Sequence, residues 1–260
     1  MRISLAPVLV LLAAAARAQQ PFLTDDAAVT PKGQWHFEYF NESAVLAKSA
    51  APDLRQNTNN FVVQYGLAPG LEVNVDFPII YIQREADSVL PSAFGLGDVD
   101  FAGKYQLVSE DPDGSRPAFT VDLAVEVPSG DRSTQLGSGY TDVVFNSVLQ
   151  KTVAVGTVVH LNIGYQFSGN TLTGAIGIRT PGRILTGGLS VAHEFSSVLL
   201  LGLDLNGAEI RTAQSRDRQV QLTAGGSLAV RKDATFDFAL LTGRSDSPRF
   251  GILLGLSYSP

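Results

Sequence analysis

Val159-His160-Leu161-Asn162-Ile163-Gly164-Tyr165-Gln166-Phe167 places an apolar side chain at every second position and a polar or small one between. Successive side chains leave a strand on opposite sides, so this period-two pattern is that of an extended segment whose two faces meet different surroundings. The pattern recurs in both directions. Upstream, Trp35, Phe37 and Tyr39 alternate with His36 and Glu38, and Leu71, Val73, Val75 and Phe77 alternate with Glu72, Asn74 and Asp76. Val99, Phe101 and Tyr105 oppose Asp98, Asp100 and Lys104, and Phe119 to Val127 repeats the motif around Thr120, Asp122 and Glu126. Downstream it continues through Leu199 to Leu205 and Phe236 to Leu240, and ends with Phe250, Ile252, Leu254, Leu256 and Tyr258. No convincing helical period interrupts it. The reading is all-β, with about twelve strands, many near the length of about 10 residues that a tilted strand needs to cross a bilayer.

The connections separate a barrel in lipid from a soluble sandwich. Every second one is tight: Ala68 to Gly70, Glu110 to Arg116, Ala154 to Gly156, Ser196-Ser197 and Arg231 to Asp233. The others are longer: Glu42 to Gln56, Tyr81 to Phe94, Pro128 to Gly139, Ser168 to Gly182, Asn206 to Asp217 and Thr242 to Pro248. Short turns at one end, long loops at the other and an even strand number describe an antiparallel up-and-down barrel of the outer membrane. A soluble barrel alternates similarly but has no reason to sort its loops this way.

The polar face adds to this. In a soluble sandwich Lys, Glu and Asp would dominate it, yet from Thr157 onward it is expected to be mostly small or neutral, with Asn162, Gly164, Thr186, Gly188, Ser190, Gly202 and Thr223. Such a face suits a confined lumen, and the apolar face suits acyl chains. Trp35, Tyr65, Tyr105, Phe119, Phe195, Phe236 and Tyr258 lie near the short turns, and Phe77, Tyr140, Tyr165, Phe167 and Phe250 near the long loops. Two such rings match the aromatic girdles of a membrane barrel.

Residues 1–18 read as a secretory signal peptide: Arg2, an apolar run from Ile3 to Ala16, and the small-x-small site Ala16-Arg17-Ala18 ahead of Gln19. Residues 19–32 are expected to form an N-terminal periplasmic segment able to tuck into the lumen, and 33–260 the barrel. This segment is too short for the plug domain of an energised transporter. Loss of Arg2 and Arg17 leaves 17 basic residues against 25 acidic ones, a net charge of −8, which disfavours nucleic acid as a partner. Cys is absent, so no disulfide framework and no thiolate metal site is available. The expected partners are outer-membrane lipids and a small solute, with no cofactor and no metal.

Several motifs are similar to those of the outer-membrane family labelled meta-pathway of phenol degradation. They are Thr24-Asp25-Asp26 ahead of Gly33, Gly95-Leu96-Gly97-Asp98-Val99 followed by Lys104-Tyr105, Val127-Pro128-Ser129-Gly130-Asp131, Gly137-Ser138-Gly139 with Asp142, and Asn162-Ile163-Gly164-Tyr165. The resemblance covers the first two thirds of the mature chain, and the final third matches in pattern alone. It implies an outer-membrane barrel associated with the movement of aromatic or hydrophobic compounds, and it brings no catalytic residues. The chain departs from many such barrels by ending Tyr258-Ser259-Pro260 instead of on an aromatic residue.

On the expected inner face, Glu38, Glu72, Asp76, Asp98, Asp100, Lys104, Asp122 and Glu126 share one wall. Fixed carboxylates in a narrow space favour cations over anions, so these eight residues are the candidates for a solute path. A water-filled interior whose charges merely tie strands together would look the same, as would a closed structural barrel. An outer-membrane lipid hydrolase is the rival class, but His36, His160 and His193 stand in no recognisable nucleophile motif. No enzyme is expected.

Overall fold

The computed structural model describes residues 21–46, 54–85, 88, 90–111, 115–168, 182–211, 216–245 and 247–260. The described residues form thirteen strands: β1 (Trp35–Val45), β2 (Arg55–Ala68), β3 (Leu71–Gln83), β4 (Ala93–Leu96), β5 (Val99–Val108), β6 (Ala118–Val127), β7 (Asp142–Ala154), β8 (Thr157–Ser168), β9 (Gly182–Glu194), β10 (Leu199–Arg211), β11 (Arg216–Ala229), β12 (Ala234–Ser245) and β13 (Phe250–Tyr258). Consecutive strands pair antiparallel except β4 and β5, which both pair with β3, and β1 also pairs with β13, from Phe37 opposite Tyr258 to Val45 opposite Phe250. That last pairing closes the sheet. Strands β4 and β5 pair with the upper and lower halves of β3 and act as one stave, so the barrel has the twelve staves expected.

The barrel is apolar outside and polar inside. Ile163 and Leu203 are each 58% exposed, whereas the inward-facing Thr120, Ser190 and Asp204 are fully buried. Strand β13 alternates between the two states at every residue. Ladder hydrogen bonds running round a closed sheet leave no edge to be desolvated by lipid, which is why a barrel can span hydrocarbon where an open sheet cannot. No described helix is long and apolar enough to cross a membrane.

The strands are longer than their sequence signal. β3 runs on to Gln83, β10 to Arg211 and β12 to Ser245, so the expected loops Tyr81 to Phe94, Asn206 to Asp217 and Thr242 to Pro248 are partly strand. Toward the long loops, outward positions such as Glu209, Arg211 and Arg244 turn polar and inward ones such as Ile80, Ile82 and Ile210 turn apolar, which erases the alternation while the ladder persists. The residues of the expected signal peptide and most of Ser168 to Gly182 lie outside the described residues.

Candidate functional site in the lumen

Residues 21–32 enter the lumen and cross it. Thr30 donates from its amide and its hydroxyl to one Glu72 oxygen on β3, both at 2.6 Å. The Ala27 carbonyl accepts from Gln106 Nε2 and Thr120 Oγ1, both at 2.7 Å, and the Ala27 amide donates to Gln150 Oε1 at 3.0 Å. Leu23 N donates to Asp204 Oδ2 on β10 at 2.9 Å, and Thr24 donates to the same carboxylate. Lys104 Nζ lies 2.7 Å from Asp25 and 3.3 Å from Asp26. The Asn162 amide, turned to satisfy both its ends, donates to the Asp25 carbonyl at 3.1 Å and accepts from the Asp25 amide at 2.8 Å. Buried polar groups need such partners, and here the strand interiors supply them.

Beside this segment lies a cavity of about 480 Å³. All eight residues expected on the acidic wall line it: Glu38, Glu72, Asp76, Asp98, Asp100, Lys104, Asp122 and Glu126. The strand registers arrange them in rows. One row runs Glu72, Lys104, Asp122, Asn146 across β3, β5, β6 and β7. The row above it runs Asp76, Asp100, Glu126, Asp142, a carboxylate on each of the four adjacent strands β3, β5, β6 and β7. Like charges directly opposite one another are unfavourable, so this row concentrates negative potential on one side of the lumen.

The eight residues separate by engagement. Glu72 and Lys104 hold the N-terminal segment. Glu38 accepts from Gln64 Nε2 at 3.3 Å and lies 3.1 Å from His36 Nε2. Asp98 accepts from the amides of Gly130, at 2.9 Å, and Ser138, at 2.6 Å, and so pins the β6–β7 connection into the mouth of the barrel. A Cβ on Gly137 would lie 2.3 Å from an Asp98 oxygen and 2.8 Å from Gly130, so only glycine permits that approach. One Asp76 oxygen is buried without a hydrogen-bond partner. The motifs around Gly95 to Asp98, Gly130 and Gly137 thus converge on one junction, where Leu136 joins Ala44, Leu46, Leu54, Ile80, Ile82 and Ala93 in an apolar cluster on the lumen side.

Sequence reasoning did not foresee the roles of Thr24, Asp25 and Asp204. Thr24-Asp25-Asp26 was visible as a motif, but nothing local marks its partners. The inner face after Thr157 is also less neutral than expected, since Asp204 and Asp237 are buried there; Ser257 donates to Asp237 at 2.8 Å. The three histidines are all hydrogen-bonded: His36 Nδ1 with Ser259 at 2.7 Å, His160 with Ser190 at 2.9 Å, and His193 with Thr157 at 2.8 Å. His36 therefore links the last residues of the chain to β1.

A closed antiparallel barrel, apolar outside with a polar, charged lumen, is the architecture of a transmembrane β-barrel of the outer-membrane type. The chain belongs to the family described as "Putative MetA-pathway of phenol degradation", whose model matches residues 26–258. Its fold is similar to that of an outer-membrane channel from Pseudomonas putida, at a TM-score of 0.68 and 13% identity over 90% of this chain and 98% of that one. It is also similar to the KdgM porin, at 0.54 and 12% identity over 86% and 99% of the two chains, and to the NanC porin, at 0.54 and 9% over 86% and 98%. No match was found among curated proteins.

Proposed function

We propose that this protein is a passive outer-membrane channel for small compounds, with the acidic wall as its solute path and the N-terminal segment as the element that narrows it. The observation that carries the reading is the cavity of about 480 Å³ lined by Glu38, Glu72, Asp76, Asp98, Asp100, Lys104, Asp122 and Glu126. Cations and neutral solutes are favoured over anions, because the row from Asp76 to Asp142 contains no cationic side chain. The family description supports small aromatic or hydrophobic compounds as the substrate class. Export by a signal peptide cleaved before Gln19 is part of the same proposal.

The experiment is single-channel recording and liposome swelling on refolded protein. Conductance with cation preference, and swelling with small neutral aromatics, are expected. No conductance and no swelling would leave a closed structural barrel as the better reading, one to which the lumen-filling residues 21–32 are equally suited.

A further inference from the structure

The outward face of β9, β10 and β11 changes character abruptly at its long-loop end. Leu189, Leu205 and Leu222 stand side by side in the apolar belt. Nearer the loops, Arg183, Arg211 and Arg216 stand directly opposite one another in a single register row. Arg218 follows on β11 opposite Glu209, and Arg244 on β12 lies opposite Val220 on the same face. All five arginines are exposed. Glu209 is the one carboxylate among these outward positions, and both of its oxygens are engaged, by Arg211 and by Arg216. Five guanidinium groups thus face one carboxylate.

Adjacent strands lie about 4.8 Å apart, so the three arginines of this row crowd like charge that the single carboxylate of Glu209 offsets only in part. The chain as a whole is acidic, which makes the patch a local reversal of sign. Its position identifies the anion. The row sits where the apolar belt ends, on the side of the long loops, which is the outer leaflet in a barrel of this type. Tyr165, Arg183, Leu185, Glu209 and Arg211 frame an outward-facing cavity of about 220 Å³ at that level. The patch is all arginine, whose planar fork matches the oxygens of a phosphate in a way that a lysine ammonium does not.

We infer that this patch is a binding site for the phosphorylated headgroup of an outer-leaflet glycolipid, with the acyl chains lying against Leu185, Leu205 and Val220. The phosphate bridges the Arg183, Arg211 and Arg216 row, and Glu209 holds two of the three guanidinium groups in place for it.

The test uses full-length protein refolded in a neutral detergent, with divalent cations chelated. Binding of bisphosphorylated lipid A, of its dephosphorylated form and of inorganic phosphate is measured by native mass spectrometry and by the shift in thermal unfolding. Wild-type protein is expected to retain lipid A and to be stabilised by it alone among the three. R183Q/R211Q/R216Q is expected to bind it more weakly by about tenfold or more, the loss of one or more charge-assisted hydrogen bonds. Equal lipid A binding by the variant, or equal stabilisation by the dephosphorylated lipid, overturns the site; equal stabilisation by inorganic phosphate overturns its assignment to a lipid. Should the triple variant fail to fold, Arg183→Gln and Arg218→Gln leave both Glu209 pairs intact. Each should then show a partial loss, and wild-type binding by both would overturn the inference.

Discussion

Lys104 Nζ lies 2.7 Å from Asp25 Oδ1, with both side chains nearly inaccessible to solvent, and this pair ties the segment in the lumen to the middle of β5. Burying an ion pair gains little over an apolar pair, but breaking one leaves an uncompensated charge. Lys104→Met is therefore expected to destabilise the folded barrel by about 3 to 5 kcal/mol. K104M/D25N/D26N should recover a good part of that. The check is urea unfolding in lipid vesicles, and equal stability of the single and triple variants would show that the pair does not hold the segment.

Gly188 on β9 offers a gentler way to dislodge the same segment. A Cβ there would lie 2.3 Å from Thr24 Oγ1 and 2.4 Å from Asn206 Oδ1. Gly188→Val should expel Thr24 from its bond to Asp204 while leaving the outer face untouched. Faster cleavage of residues 21–32 by added protease, together with a larger single-channel conductance, is the expected result. An unchanged cleavage rate would mean that the segment tolerates the loss of this anchor.

The assignment of faces is tested by arginine placed on each. Ile163→Arg puts a charge at mid-height on the lipid side and should destabilise the barrel by about 2 to 4 kcal/mol. Asn74→Arg puts it in the lumen between Glu72 and Asp76, where carboxylates can pair it, and should cost much less. Reversal of that order in unfolding experiments would invert the inside and the outside of the barrel.

The carboxylates of the two rows, Asp76 and Asp100 in the upper and Asp122 in the lower, bear on ion selectivity. Replacing Asp76, Asp100 and Asp122 together with Asn should shift the reversal potential in a salt gradient toward that of a non-selective pore. The shift should be larger at low salt, where screening over the Debye length of about 10 Å at 0.1 M is relaxed. A reversal potential equal to that of the wild type would exclude these residues from the ion path.

The barrel was legible because its two faces meet two solvents, so every stave from Trp35 to Tyr258 carries the contrast in its own sequence. All eight acidic-wall residues were found by phase alone, since a residue's side of a strand follows from parity. The cross-lumen contacts were not. Thr24 and Asp204 lie 180 residues apart, and an irregular segment has no period to reveal its partners. Asp98, just ahead of β5, illustrates the limit at a strand end: its inward direction was evident, but its use as an anchor for Gly130 and Ser138 depends on a loop that doubles back. The split between β4 and β5 was hidden for the same reason, because it lies at the residue that turns to meet that loop.

Residues 23 to 30 touch β3 at Glu72, β7 at Gln150 and β10 at Asp204, and thus form a chord across the hoop of staves. A hoop of hydrogen-bonded strands resists stretching along its circumference but is free to ovalise. A chord removes that freedom, because opposite walls can neither separate nor approach without breaking its ties. The segment that fills the lumen is therefore also a mechanical brace, and whatever releases it makes the cross-section of the barrel compliant as well as wider.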